Sequence, residues 1–121
     1  MDDDRIWEME SKLWHGGDEV YRELIDEAVV MALPAEPFVF AGQDAIAAVS
    51  RTPRWDEVVF SEQQVMRPQE GLIVIGYRAE ASRGGERYVA YCATTMRRVE
   101  HEVWRVVQHS QVVPPVALVE G

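Results

Sequence analysis

Between residues 56 and 112, stretches dense in β-branched and aromatic residues are separated by three short polar strings, PQEG, SRGGE and VEHE. The stretches run over 57–67, 72–81 and 87–98, and a further one opens at 103. Separators this short act as hairpin turns, because a parallel crossover needs roughly a dozen residues or more. About half of the chain is therefore predicted to be one antiparallel meander.

Period-two alternation then divides each strand between two faces. A turn centred on Gly84–Gly85 pairs Tyr77 with Cys92 and Ile75 with Thr94. A turn centred on Glu100–His101 pairs Cys92 with His109 and Ala90 with Gln111. One face then carries Ile73, Ile75, Tyr77, Ala79 and Ala81, with Ala90, Cys92, Thr94 and Met96 beside them. Val107, His109 and Gln111 complete that face. The opposite face holds Arg78 and Glu80, together with Tyr91, Trp104, Val106, Gln108 and Ser110. The first face is the apolar one, so it is expected to face the core and to carry His109 and Gln111 inward. Lone polar groups buried there need partners or water. In the strand before, a turn centred on Gln69–Glu70 sets Glu62 opposite Tyr77 and Gln64 opposite Ile75, against the apolar pattern. A β-bulge that switches the strand is the expected remedy.

The N-terminal half reads differently. Over 3–15, Ile6, Met9 and Leu13 recur at helical spacing, with Trp7, Glu10 and Trp14 widening the face. Acidic residues at Asp2, Asp3 and Asp4 suit a helix start, and HGG ends the helix with a left-handed glycine cap expected. DEVYRELI reads as a second short helix with Val20, Tyr21 and Leu24 inward. AVVMALP and PFVFAG read as short strands broken by Pro34 and Pro37, and Asp26 and Glu27 before them as turn-capping surface acids. GQDAIAAVSRT reads as a third helix, capped near Gly42 to Asp44 and stopped before Pro53. Helices first and a long meander after them make the class α+β, in one domain over 1–121.

Composition narrows the function. The net charge is −9 and the only adjacent basic pair is Arg97–Arg98, which argues against a nucleic-acid partner. No apolar run approaches the roughly 20 residues of a membrane-spanning helix. The acidic start, MDDDRIWEME, does not resemble an export signal, and the lone Cys92 fits a reducing compartment, so the expected location is cytoplasmic. The three histidines are dispersed and His101–Glu102 falls in a hairpin loop, so no metal site is expected. SRGGE is turn chemistry, since no helix follows it.

IWEMESKLWHGG, DEAVVMALP, GQDAIAAV, YRAEA and the closing WRVVQHSQVVP together resemble the nuclear transport factor 2-like (NTF2-like) superfamily, in its small bacterial SnoaL-like and ketosteroid-isomerase-like branch. The resemblance spans nearly the whole chain in element order. It implies a cone-shaped α+β barrel in which a curved, mostly antiparallel sheet wraps around the N-terminal helices and opens at one end into a mainly apolar pocket. It also implies a homodimer through the outer sheet face, with Tyr91, Trp104, Val106, Gln108 and Ser110 at the contact. Function does not follow from this fold, which serves isomerases, cyclases, dehydratases and pure binders alike. The isomerase's catalytic aspartates match no position in this chain.

The candidate site residues are those that the apolar face and the helices would bring to such a pocket. Expected ligand contacts are Trp14, Tyr21, Met31, Trp55, Tyr77, Cys92, His109 and Gln111. His109 is the candidate base, since imidazole moves protons near neutral pH, and Tyr77 or Gln111 would position a carbonyl. Cys92 opposite His109 could form an activated thiol, although no third group or oxyanion hole accompanies it. The expected function is binding of a small apolar or aromatic molecule, extending, if catalytic, to cofactor-free proton transfer of the isomerase, cyclase or dehydratase kind. The alternative is a non-catalytic dimerisation, accessory or sensor module whose pocket is filled by its own side chains.

Overall fold

A computed structural model describes residues 1–114. The elements follow one another as α1 (Asp3–His15), α2 (Asp18–Leu24), β1 (Ile25–Ala32), β2 (Val39–Ala41), α3 (Gln43–Arg51), β3 (Glu57–Gln69), β4 (Leu72–Arg83), β5 (Glu86–Glu100) and β6 (Val103–Val112). The six strands form one sheet in the order β2-β1-β6-β5-β4-β3. All neighbours are antiparallel except β1 and β6. That parallel pair carries the edge built by the N-terminal half onto the meander, and no local turn signal announces it.

α1 begins where the Asp2 side chain accepts a hydrogen bond from the Arg5 amide at 2.9 Å, with Asp3 and Asp4 in the first turn. It ends at Gly16, which is extended rather than left-handed. The glycine is needed there for a different reason. A Cβ would sit 2.6 Å from the Lys12 carbonyl oxygen and 2.8 Å from the Val20 side chain, so α2 could not turn back so tightly. α2 passes directly into β1, and Asp26 lies within that strand. Its Oδ1 accepts from the Ala28 amide at 2.9 Å, the local capping bond expected, but the carboxylate is buried and its Oδ2 meets Arg97 at 3.1 Å, so it does not cap a surface turn. Glu27, its neighbour, is exposed.

Within the meander β4 lies between β5 and the edge strand β3, and its concave face is apolar. Ile73, Ile75, Tyr77, Ala79 and Ala81 are all buried, alternating with partly exposed residues, as the apolar pattern requires. The β4–β5 register is the expected one, with Tyr77 opposite Cys92 and Ile75 opposite Thr94. The other two turns lie one residue further along. Gln69 pairs with Leu72, which centres that turn on Glu70–Gly71, where Gly71 takes φ 81°. Glu100 pairs with Val103, which centres the last turn on His101–Glu102.

These shifts have structural consequences. In β3 the register slips between Ser61 and Gln64, at Glu62, whose φ is 53°. Phe60 faces the core beside Ala79 in the expected register, and the bulge turns Val65 to the same side beside Ile75. In β6, His109 faces Thr94 and Cys92 faces Gln111, two residues away from the expected Cys92–His109 pairing. A second irregularity leaves Val107 as the extra residue between the Thr95–Gln108 and Met96–Val106 pairs. Val106 is therefore turned inward and fully buried, and Trp104 packs against the core. Neither belongs to the outer face assigned to them from strict alternation. Tyr91, Gln108 and Ser110 stay on it, opposite the buried row.

The core fills the space between that concave face and the helices. α1 contributes Ile6, Glu10 and Trp14, four residues apart on one stripe, and the second of these is a carboxylate.

Candidate functional site

One transverse row of the sheet organises the site: Met31, His109, Thr94, Ile75 and Val65 on five successive strands. His109 lies in the middle of the wall that faces α1, and its side chain is buried. On one side of the imidazole is a closed polar cluster; on the other is a cavity.

The polar cluster centres on Glu10, which is 0% exposed. Its Oε2 accepts hydrogen bonds from the Tyr77 hydroxyl and from Thr94 Oγ1, the latter at 2.6 Å. Trp14 Nε1–H donates to the Tyr77 hydroxyl at 3.0 Å. Thr94 Oγ1 also lies 2.7 Å from His109 Nδ1. On the far side of the ring, Gln111 Nε2 lies 3.1 Å from His109 Nε2, and the Tyr88 hydroxyl donates to Gln111 Oε1 at 2.6 Å.

The proton positions follow from this chain. Gln111 Oε1 is an acceptor for Tyr88, so its amide nitrogen donates to His109 Nε2. Thr94 gives its single proton to Glu10, so its oxygen accepts from His109 Nδ1–H. The imidazole is thus the neutral Nδ1–H tautomer, with the Nε2 lone pair turned toward Gln111. Burial agrees with this, lowering the His109 pKa from 6.5 to about 4. Glu10 moves the other way. Burial outweighs the two hydroxyl donors and raises its pKa from 4.5 to about 7. Its Oε1 has no hydrogen-bond partner, and protonation at that oxygen would remove the charge without disturbing either donor on Oε2. Although Glu10 Oε2 and His109 Nδ1 are only 3.6 Å apart, they do not form an ion pair when the ring is neutral.

The cavity has a volume of about 260 Å³. Its helical walls come from Leu13 and Trp14 of α1, Tyr21 of α2, and Ala48 and Val49 of α3. The strands supply Met31, Phe40, Tyr88, His109 and Gln111, and the segment after α3 adds Arg54 and Trp55 at the rim. Trp55 stacks on Tyr88 with ring centroids 5.5 Å apart and planes 11° from parallel. The Arg83 guanidinium covers Trp55 at 4.0 Å. The result is a largely aromatic and aliphatic chamber with the His109–Gln111–Tyr88 hydrogen-bonded run on its wall.

Of the residues expected at a ligand, Trp14, Tyr21, Met31, Trp55, His109 and Gln111 line this cavity. Tyr77 and Cys92 do not. Tyr77 is packed between Phe60, at 4.6 Å between centroids, and Trp7, at 5.5 Å, and its hydroxyl points at Glu10. Cys92 is buried opposite Gln111, and burial, reinforced by the nearby Glu10, pushes its thiol up to about 12. With Thr94 in the place expected for it beside His109, no activated thiol forms. The sequence pattern alone does not mark Glu10 as a site residue. Its trace in the sequence is positional: an acid midway between Ile6 and Trp14 on the apolar stripe of an amphipathic helix. Among the described residues, no group of three or more His, Cys, Asp or Glu side chains could hold a metal ion.

Solved structures with this architecture include a protein from Parabacteroides distasonis provisionally called a ketosteroid isomerase, 16% identical over 90% of this chain and 85% of that one, with a TM-score of 0.78. An NTF2-like protein from Cytophaga hutchinsonii is 16% identical, covers 94% of this chain and 100% of its own, and gives a TM-score of 0.74. The association domain of C. elegans CaMKII is 13% identical over 88% of each chain, with a TM-score of 0.69. No protein-family model matches the sequence, and no curated protein does so significantly. At these identities the likeness is one of fold: three helices held by a six-stranded, curved, mostly antiparallel sheet in the NTF2-like α+β cone.

Proposed function

We propose that this NTF2-like domain binds a small apolar or aromatic molecule in the cavity, with Gln111 and His109 as its polar contacts. The observation that carries this reading is the hydrogen-bonded run Tyr88–Gln111–His109 exposed on a wall otherwise built of aromatic and aliphatic side chains. Apolar walls supply affinity by burial, and a few directed polar groups fix orientation. Gln111 is half-buried and can turn its amide toward a ligand carbonyl. The volume, about 260 Å³, lies just below the usual range for ligand sites, so the occupant is small. The test is thermal-shift and tryptophan-fluorescence screening with small aromatic ketones and phenols. A response in wild type that Gln111→Leu weakens by about tenfold supports the reading, and no response from any member of the panel overturns it.

A second reading, cofactor-free proton transfer, is favoured by one specific feature. His109 holds its proton on the side of Thr94 and Glu10 and keeps the Nε2 lone pair on the cavity side. Displacing the Gln111 amide would free that lone pair as a general base, with Glu10 behind it to stabilise the imidazolium that forms. Deuterium exchange at the α-carbon of a bound ketone, lost in His109→Gln, would support it. Binding without exchange would leave the domain a binder only.

A homodimer through the outer sheet face is part of the same proposal. Support comes from Val59, Met66, Tyr91 and Val112, large apolar side chains exposed on strands of this sheet. Sedimentation of wild type as a dimer, with Tyr91→Lys sedimenting as a monomer, is the expected result. A monomeric wild type at micromolar concentration refutes it.

A further inference from the structure

We propose that the cavity takes its ligand as an anion, specifically a small aromatic carboxylate whose carboxylate group is held by Arg54 at the rim. This rests on the cavity being a binding site and adds the chemical class of what it binds.

The first observation is one of charge. The chain carries 21 acidic residues against 12 basic ones, yet the cavity wall includes no Asp or Glu and only one Arg or Lys, Arg54. His109 is neutral, as the hydrogen-bond directions around it require. Arg83, over the outer face of Trp55, is already paired with Glu86, so Arg54 is the one arginine of the wall itself, and a positive charge beside an apolar chamber favours entry of anions. The second observation is that Arg54 is seated and unengaged. Arg5, Arg67, Arg78, Arg83, Arg87, Arg97 and Arg98 each meet a carboxylate within 4.0 Å; among the described residues Arg54 meets none and makes no hydrogen bond. Arg54 is exposed at the rim, and its Nη2 rests against the backbone of Gly17, where a Cβ would come within 2.3 Å. Gly17, between α1 and α2, therefore gives the guanidinium room to rest beside the Tyr21 wall rather than swing away.

The geometry also selects the type of anion. One planar guanidinium matches one carboxylate through two parallel hydrogen bonds. A dianionic phosphate would leave a charge uncompensated among apolar walls, at high cost. The stacked Trp55–Tyr88 pair and Trp14 favour a flat ring in the chamber, and Gln111 can donate to an acceptor at the ligand's other end.

The probes are benzoate, phenylacetate and 3-phenylpropanoate, each compared with its own primary amide, and binding is read by tryptophan quenching and calorimetry at low salt. The acid should bind wild type about tenfold tighter than its amide, a gain typical of one charge-assisted pair, and raising the salt should shrink that gain. Arg54→Gln should equalise acid and amide while leaving amide binding intact. Arg51→Gln, at an exposed arginine outside the cavity wall, should leave the preference unchanged. Equal binding of acid and amide by wild type overturns the proposal, and so does an acid preference that survives Arg54→Gln. If neither acids nor amides bind, the cavity-binding reading itself falls; if amides bind as well as acids, only the anion inference does.

Discussion

The Glu10–His109 pair makes an unusual prediction about stability and pH. In the folded protein Glu10 titrates at about 7 instead of 4.5, and His109 at about 4 instead of 6.5. Stability changes with pH only where folded and unfolded chains bind different numbers of protons. Between pH values of about 4.5 and 6.5 the folded pair holds one proton, on Glu10, and the unfolded pair also holds one, on His109. The two counts match, so the pair as a whole contributes no slope in that window.

Removing either member exposes the other's slope. In Glu10→Gln only His109 titrates. Its depressed folded pKa means the unfolded chain binds more protons, so stability should rise with pH through the window. In His109→Gln only Glu10 titrates. Its raised folded pKa means the folded chain binds more protons, so stability should fall as pH rises toward 7. Each slope approaches about 1.4 kcal/mol per pH unit, giving about 3 kcal/mol across the window, with opposite signs in the two variants. The causes support treating them separately: burial alone depresses His109, while burial against the Thr94 and Tyr77 donors sets Glu10. Urea unfolding followed by tryptophan fluorescence at pH 4.5, 5.5, 6.5 and 7.5 gives the variant-minus-wild-type difference, in which all other carboxylates cancel. Differences independent of pH in both variants would refute the reasoning. Reversed signs would refute it equally, because each remaining group would then be shifted against the direction that burial imposes.

Three further outcomes test the fold and its chemistry. Val106→Ala, at a residue 0% exposed, should cost about 2 kcal/mol in urea unfolding, whereas Val112→Ala, at 60% exposed, should stay within about 0.5 kcal/mol. Strict alternation without the β6 irregularity would make Val106 as tolerant as Val112. Gly42 takes φ 58° and ψ −133°, a region that side chains scarcely enter, so Gly42→Ala should destabilise by about 1–3 kcal/mol in the same assay. Cys92, buried with its thiol raised from 9.0 to about 12, should react with a disulfide reagent at pH 8 at least about a thousandfold more slowly in the folded protein than in urea.

Much of the architecture is legible along the chain because its signals are local. Short polar strings between β-rich stretches dictate hairpins. The Asp2–Asp4 start and the Ile6-to-Trp14 spacing dictate α1, and the alternation from Ile73 to Ala81 dictates which face of β4 is buried. These features depend on backbone geometry repeated over a few residues, and any fold made from this chain must satisfy them. The inward aim of His109 was also legible, since a register error of two residues preserves the face while changing the partner.

What the tertiary structure decided is every relationship that a single inserted residue or a distant neighbour can alter. The extra residue at Val107 turned Val106 and Trp104 inward, and the bulge at Glu62 brought Val65 to the core on the same side as Phe60. The parallel β1–β6 pairing set Met31 beside His109. Above all, Glu10 is an acid on the apolar stripe of α1 with no partner in its own segment until that helix is laid in the cone. Only then do Tyr77 and Thr94, 67 and 84 residues away in sequence, converge on its carboxylate. A strand's periodicity fixes the direction of its own side chains, but burial and the identity of a hydrogen-bond partner are properties of the space between elements, which no single segment contains.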